Sequence, residues 1–242
     1  MQTSLRYGWW ILIWLLVSIH PARAAEGGPP ILLGATTSHE GKYQEPSLMG
    51  ENALKLWVQE VNQRGGLLGR EVKLITYENK SDPELTRKLY TRLIENDGVD
   101  LIFAPYSTPL TLVSSEVSEA HKMVMLSIGA AAEKPWRRGY RFLFQLYAPA
   151  KRQFIGLLDM MARRDLRTLA LLFDDTSAFN HDIIAGIEAW ARRYNIDVVY
   201  RKGYLDGKKE LPGLLKEAKA KNPRGLVLSA YSPDAHEMLR LL

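Results

Sequence analysis

The stretch NQRGGLLGREVKLITYENKSDPE, residues 62–84, has three glycines within five positions and decides between two interpretations of the chain. A glycine-rich loop that binds phosphate follows a strand and precedes a helix, so that its N–H groups lie at a helix N-terminus. Here a helical pattern, SLMGENALKLWVQEVNQR (47–64), precedes the glycines, and a strand pattern, REVKLITYE (70–78), follows them. Because the order is reversed, the glycines predict a helix C-terminus and a tight turn.

The alternation of helix and strand extends in both directions from this turn. Further strands are predicted at 31–36, 99–104, 123–128, 168–173, 196–201 and 225–230. Further helices are predicted at 82–97, 108–121, 148–165, 180–194, 208–221 and 232–242. Strands that alternate with helices form parallel sheets that are covered by helices on both faces. The sequence therefore predicts an α/β fold of doubly wound parallel sheets.

Two of the predicted helices carry specific expectations. For 47–64 we expect Ser47 to be the N-cap. Its apolar side chains are expected on one buried face: Met49, Ala53, Leu54, Trp57, Val58 and Val61. For 108–121 we expect Thr108 to be the N-cap and Pro109 to be the first helical residue.

The composition excludes several functional classes. The chain has 242 residues, 46% of them hydrophobic and 24% charged, which is typical of a globular protein. It has no Cys, and no two of its five His stand at the i, i+4 spacing of a helical metal pair, so we expect no metal and no cofactor. Its basic residues are spread among acids, so we expect no nucleic acid partner. The G-x-S-x-G and H-E-x-x-H motifs are missing, and we expect no enzymatic activity.

The first 24 residues have the organisation of a signal peptide. Arg6 precedes an apolar run from Trp9 to Ile19, and Ala22-Arg23-Ala24 supplies small residues at a cleavage site. An 11-residue run spans about 17 Å as a helix, which is too short to cross a hydrocarbon core of about 30 Å. We therefore expect export to the periplasm, with residues 1–24 removed and residues 25–30 forming a linker.

Ligands of open parallel sheets bind beyond the carboxyl ends of the strands, which directs attention to the loops that follow the predicted strands. In those loops, Thr108 and Ser107 stand at a predicted helix N-terminus, where free N–H groups favour a carboxylate. The candidate ligand-binding residues are Tyr43, Tyr106, Ser107, Thr108, Gly129, Ala130, Ala131, Phe179 and Tyr231. Each of these residues also has a structural explanation, as a helix cap, as packing or as half-buried surface.

Four segments together resemble the type I periplasmic solute-binding proteins of branched-chain amino acid ABC transporters, the Leu/Ile/Val-binding family. They are MGENALKLWVQEVNQRGGLLGREVKLITYENKSDPELTRKLYTRLIENDGVDLIFAPYST, KMVMLSIGAAA, LALLFDDTSAFNHDIIAGIEAW and GLVLSAYSPDAHEMLR. The most specific feature is the combination of N-x-x-G-G-x-x-G-R with a later D-P and V-D-x-I. The resemblance covers residues 31–242.

The resemblance implies two doubly wound lobes, joined by a hinge, that close on a small ligand. By this resemblance Tyr43 covers the ligand from the first lobe, and Thr108 holds the ligand carboxylate. Gly129 and Ala131 line the floor, whereas Phe179 and Tyr231 face the ligand from the second lobe. The implied function is capture of a small polar solute, in the first place an amino acid, for ABC permease subunits in the inner membrane. A ligand-sensing domain for a signalling partner remains the alternative.

The sequence departs from the family pattern at places that affect the ligand. A hydroxyl residue is common in the family where Ala131 stands, and a Tyr-Gly pair is usual where Phe179-Asn180 stands. An amide, a urea-like compound or a carboxylate without an amino group therefore stays open as the ligand. Family members also extend beyond residue 242, with the acid that meets the ligand ammonium in that region. We expect a first lobe at 31–148 and a second, partial and truncated lobe at 149–242.

Signal-peptide cleavage gives the first testable prediction. We expect the mature protein to begin at Ala25 or Glu26, because cleavage follows the small residues at positions 22 and 24. Intact-mass measurement of protein from a periplasmic extract checks this. A species that retains Met1 and sediments with the membrane fraction would contradict it.

Overall fold

The structure is a computed structural model that describes residues 27–242. The predicted signal peptide (1–24) and the first linker residues (25–26) lie outside the described residues. Among residues 27–242, no helix is both long enough and apolar enough to cross a membrane.

The first half of the described chain forms a sheet of five parallel strands in the order β2-β1-β3-β4-β5. The strands are β1 (Ile31–Thr37), β2 (Val72–Glu78), β3 (Leu101–Phe103), β4 (Met125–Ser127) and β5 (Leu143–Gln145). The helices are α1 (Gln44–Gln63), α2 (Pro83–Glu95) and α3 (Thr108–Ala120), with a 3-10 turn at Trp136–Arg138. Sequence reasoning did not predict β5, which has only three residues.

The second half forms a sheet of three parallel strands in the order β7-β6-β8. The strands are β6 (Thr168–Asp174), β7 (Asp197–Tyr204) and β8 (Gly225–Ser229). The helices are α4 (Ile155–Arg163), α5 (Ala178–Arg193), α6 (Gly207–Ala220) and α7 (Ser232–Leu241), after a 3-10 turn at Ala150–Arg152. We call the halves around the two sheets the first and the second lobe.

Alternate residues of the central strand β6 enter two separate cores. Leu169, Leu171 and Phe173 pack with residues of α4 and α5, whereas Ala170 and Leu172 pack with residues of α6 and α7. Successive side chains of a strand point to opposite faces, so helices cover both faces of this sheet. The first sheet is covered in the same way, by α1 on one face and by α2 and α3 on the other. The predicted α/β fold of doubly wound parallel sheets is confirmed.

The glycine-rich stretch is the turn between α1 and β2. Gly66 has φ +81°, and a Cβ there would lie 1.9 Å from the carbonyl oxygen of Arg70, so no other residue fits. The Asn62 side chain fixes the strand that follows: its Oδ1 accepts the Val72 N–H at 2.8 Å, and its Nδ2 donates to the Val72 carbonyl at 2.9 Å. The stretch therefore joins helix to strand, as the order of the patterns predicts.

Two expectations about helix α1 are wrong, one for its N-cap and one for part of its buried face. Helix α1 begins at Gln44, so Ser47 is not its N-cap; Ser47 is buried inside the helix and accepts the Ser38 N–H at 3.1 Å. The inward face of α1 contains the buried Ser47 and Glu51 and the predicted Leu54, Val58 and Val61, whereas Ala53 and Trp57 are exposed and Met49 is 68% exposed. Glu51 is a buried charge paired with His39 and Lys55, and an apolar pattern does not reveal such a residue on a buried face.

Asn62 provides a test of the turn. Replacing Asn62 by Ala leaves both backbone groups of Val72 without their partner and should lower the free energy of unfolding by about 1–3 kcal/mol, measured by urea denaturation. Gln63→Ala, at an exposed neighbouring position, is the matched control and should change it by less than about 0.5 kcal/mol. Equal effects of the two substitutions would mean that the Asn62 contacts do not stabilise the turn.

Candidate functional site

The loops that follow β3, β4, β6 and β8 converge where the carboxyl edges of the two sheets face each other. Between them lies a small cavity of about 30 Å³. It is lined by Tyr106, Ser107, Thr108, Gly129, Ala131, Tyr147, Phe179 and Tyr231. Ligand pockets usually enclose at least 300 Å³, so this cavity must widen to hold a solute of ordinary size.

Thr108 is the polar group that the cavity leaves unsatisfied. Its side chain is 2% exposed, and its Oγ1 has no hydrogen-bond partner among the described residues. It is the first residue of α3, where the helix dipole presents partial positive charge. The next residue, Pro109, has no N–H, and the Leu110 N–H is capped by Ser107 Oγ at 3.4 Å. The Thr108 hydroxyl and amide are therefore the groups of this helix turn that can bind an anion.

The N-cap of α3 is Ser107, not Thr108 as predicted, and the first helical residue is Thr108, not Pro109. Ser107 has φ +93° and ψ 149°, a backbone conformation that is essentially confined to glycine. Its N–H donates to the Gly129 carbonyl at 3.3 Å, which ties the end of β3 to the end of β4. Gly129 is required for this approach, because a Cβ there would lie 2.9 Å from the Tyr106 ring. Backbone strain of this kind is concentrated at functional sites.

Aromatic rings from both lobes meet at the cavity. The ring centroids of Tyr43 and Tyr231 lie 5.1 Å apart in an edge-on arrangement, and those of Phe179 and Tyr231 lie 6.4 Å apart. Tyr43 also lies 6.3 Å from Tyr106. Burial raises the pKa of Tyr43 and of Tyr231, so both phenols are neutral at physiological pH. The result is an apolar wall with hydroxyl groups, opposite the helix N-terminus that carries Thr108.

The structure brings most of the predicted site residues together. Seven of them line the cavity, namely Tyr106, Ser107, Thr108, Gly129, Ala131, Phe179 and Tyr231. Tyr43 packs against two of the lining rings without lining the cavity itself. Ala130 does not line it; its carbonyl accepts the Gln145 side chain at 2.8 Å. Tyr147 was missed, because it follows the unpredicted strand β5.

An ion pair crosses from one lobe to the other beside this cavity. Lys42 Nζ, in the loop after β1, lies 2.9 Å from Oδ2 of Asp174, the last residue of β6. Burial acts to raise the pKa of Asp174, but hydrogen bonds from Thr176 and Lys42 outweigh it and hold the pKa below its ordinary value. The ion pair therefore stabilises the contact at pH values above the ordinary Asp pKa and is lost as the pH falls through the lowered pKa. Sequence reasoning missed Lys42 altogether.

Polar contacts hold the loop that carries Lys42 and Tyr43. Asn79 accepts the Ser38 hydroxyl at 2.6 Å and donates to Thr36 Oγ1 at 2.9 Å, so the ends of β1 and β2 are fixed together. Ser81 Oγ donates to the Glu40 carbonyl at 2.8 Å and accepts the Tyr43 N–H at 3.1 Å. The loop is thus positioned by its own lobe, whichever contacts it makes with the other lobe.

Comparison with protein families gives one match that spans almost all of the described residues. A family model described as "Periplasmic binding protein" matches residues 30–241. Among curated relatives, "Leu/Ile/Val-binding protein homolog 8" of Brucella abortus (strain 2308) is 26% identical over 202 residues, which are 78% of this chain and 49% of that protein. The chain therefore spans about half the length of this relative.

Solved structures share the fold at low sequence identity. A branched-chain amino acid substrate-binding protein from Streptococcus pneumoniae, in complex with isoleucine, has a TM-score of 0.75 and 18% identity and covers 82% of this chain and 56% of its own. A solute-binding protein from Rhodopseudomonas palustris BisB5, in complex with 3,4-dihydroxy benzoic acid, has a TM-score of 0.78 and 17% identity and covers 88% of this chain and 57% of its own.

The ion pair between the lobes gives a prediction about their closure. Asp174→Asn removes the partner of Lys42 and should shift the equilibrium toward separated lobes by about fivefold, because a half-exposed ion pair contributes about 1 kcal/mol. Because the chain has no Cys, thiol-reactive labels attach only at the introduced Glu40→Cys and Leu205→Cys, and the distance between the two labels reports the width of the cleft. Asp175→Asn is the matched control, since Asp175 contacts His181 in its own lobe. An unchanged distance distribution in Asp174→Asn would contradict the prediction.

Proposed function

The chain belongs to the family of periplasmic binding proteins, and from that premise we propose that it captures a small carboxylate-bearing solute between its two lobes. On this proposal the protein works in the periplasm and delivers the solute to the permease subunits of an ABC importer in the inner membrane. Its function is binding without covalent chemistry. The alternation of sheet and helix, which places all strand ends at one cleft, is the architecture that such capture needs.

The observation that carries the proposal is the unsatisfied hydroxyl of Thr108. A buried hydroxyl without a hydrogen bond costs free energy, and sites that bind polar ligands contain such groups because the ligand supplies the missing partner. A carboxylate fits here better than a cation, because the hydroxyl and the amide of Thr108 both donate and the dipole of α3 favours negative charge.

The aromatic wall supports a solute with an apolar body attached to that carboxylate. Tyr106, Phe179 and Tyr231 line the cavity, and none of its lining residues is acidic or basic. The two similar solved structures were determined with isoleucine and with 3,4-dihydroxy benzoic acid, which have a carboxylate and an apolar portion in common. We therefore propose the class of small carboxylates with an apolar body, in which an amino acid is one member.

Contacts between the lobes support capture by closure. Besides the ion pair of Lys42 and Asp174, the Ser232 hydroxyl at the start of α7 donates to Glu45 Oε2 of α1 at 2.7 Å. Lys42, Glu45 and Ser232 are exposed or partly exposed, whereas Asp174 is nearly buried, and water replaces these polar contacts when the lobes separate. Lobes held together by such contacts can close around a solute and open again to release it.

Thr108→Val tests the binding position. The substitution keeps the branched shape and removes the hydroxyl, so it should weaken binding of a carboxylate ligand by roughly ten- to a hundredfold, the equivalent of about 1.5–3 kcal/mol. The same variant should be at least as stable as the wild-type protein without ligand, because a buried unpaired hydroxyl is lost. A thermal-shift screen of amino acids, aliphatic acids and benzoates identifies the ligand, and calorimetry gives the affinities.

Thr108→Ser is the control, since it keeps the hydroxyl and should keep most of the affinity. Ser107, and not Thr108, caps α3, so neither variant removes the cap. If Thr108→Val binds the identified carboxylate as tightly as the wild-type protein, Thr108 does not hold it and the proposed site is wrong.

A further inference from the structure

The ammonium group of Lys42 has three partners in the second lobe. Its Nζ lies 2.9 Å from Asp174 Oδ2, 3.4 Å from Thr176 Oγ1 and 4.8 Å from the centroid of the Tyr231 ring. The Lys42 side chain is 40% exposed, whereas that of Asp174 is only 6% exposed. A partly exposed side chain of the first lobe thus places its charge against a nearly buried carboxylate of the second lobe.

These three partners form a cation-binding position. The other carboxylate oxygen of Asp174, Oδ1, accepts both the N–H and the hydroxyl of Thr176, at 2.9 and 2.5 Å, so Oδ2 is the atom that faces a cation. A buried carboxylate beside the face of an aromatic ring is the arrangement that proteins use to recognise ammonium groups. Among the described residues, Lys42 is the cation that occupies it.

This position adjoins the proposed solute cavity through Tyr231. The ring of Tyr231 lines the small cavity and also lines the neighbouring cleft, of about 340 Å³, to which Lys42, Asp174 and Thr176 contribute. Two other acids line that cleft, Asp206 and Asp234, but Asp206 caps α6 by accepting the Lys209 N–H. Lys42 Nζ lies on Asp174 Oδ2, so an ammonium group of a solute that approaches this carboxylate meets Lys42 as a like charge.

We infer that Lys42 is a specificity-determining residue, whose ammonium group takes the cation-binding position of the cleft and so selects carboxylates that have no ammonium group of their own. This inference rests on the proposed function and narrows its ligand class. Like charges close together are unfavourable, whereas the positive charge of Lys42 attracts the anionic carboxylate. The repulsion disfavours an α-amino acid relative to the corresponding acid without the amino group, whereas the attraction acts on the carboxylate of both.

The test compares pairs of ligands that differ only in the ammonium group. The pairs are 4-methylpentanoate with leucine and 3-phenylpropanoate with phenylalanine, measured by calorimetry on the purified protein. In the wild-type protein the acid without the amino group should bind at least about tenfold more tightly. Such a ratio of affinities corresponds to the free energy of one hydrogen bond to a charged group. Lys42→Gln should reduce this preference by about tenfold, because Asp174 then becomes available to the ammonium group of the amino acid.

Lys80→Gln is the matched control. Lys80 belongs to the same lobe as Lys42, but its ion pair is with Glu40 of that lobe, at 3.2 Å. Lys80→Gln should therefore leave the preference for the acid without the amino group unchanged. Tighter binding of leucine than of 4-methylpentanoate, or an equal preference in wild type and Lys42→Gln, would overturn the role of Lys42 and leave the proposed function intact. If folded protein binds none of the four compounds and no carboxylate of the thermal-shift screen, the proposed function is overturned and the inference with it.

Discussion

The site depends on one constraint, the parallel pairing of the strands. Because every strand of both sheets runs in the same direction as its neighbours, all carboxyl ends of a sheet lie at one edge, and the helix that follows each strand begins there. The start of α3 at Thr108 and the start of α5 at Ala178 therefore point toward the same cleft. The partial positive charge of a helix N-terminus is thus placed at the cavity by topology before any side chain acts.

Side chains then divide the cleft into regions of different character. Thr108 and the N-terminus of α3 form an uncharged region with hydrogen-bond donors. The tyrosine and phenylalanine rings form an apolar wall. Asp174 adds one nearly buried negative charge, which Thr176 satisfies on one oxygen and Lys42 on the other. A buried carboxylate without a cation would be costly, so closure of the lobes and neutralisation of Asp174 are coupled. If the proposed function is correct, this coupling connects the closure of the lobes to the charge of the solute.

The sequence predicted the fold because hydrophobic periodicity and turn chemistry agree along the chain, as at Asn62 and Gly66. It also predicted most of the cavity, since strand ends can be located once strands are found. The sequence did not predict β5, because a strand of three residues has little periodicity. It also did not predict the burial of Glu51 in α1, because a buried charge interrupts the apolar pattern. The Lys42–Asp174 pair joins residues 132 positions apart, and no local pattern reports such a contact.

The most direct test of this account is a crystal structure of the protein with the tightest-binding carboxylate found by screening. We expect the carboxylate to lie about 2.7–3.1 Å from Thr108 Oγ1 and from the Thr108 amide nitrogen, the range of ordinary hydrogen bonds. Its apolar body should contact Tyr106, Phe179 and Tyr231, with Lys42 still on Asp174. A ligand bound outside this cavity, or one whose carboxylate contacts other residues while Thr108 stays unpaired, would contradict it.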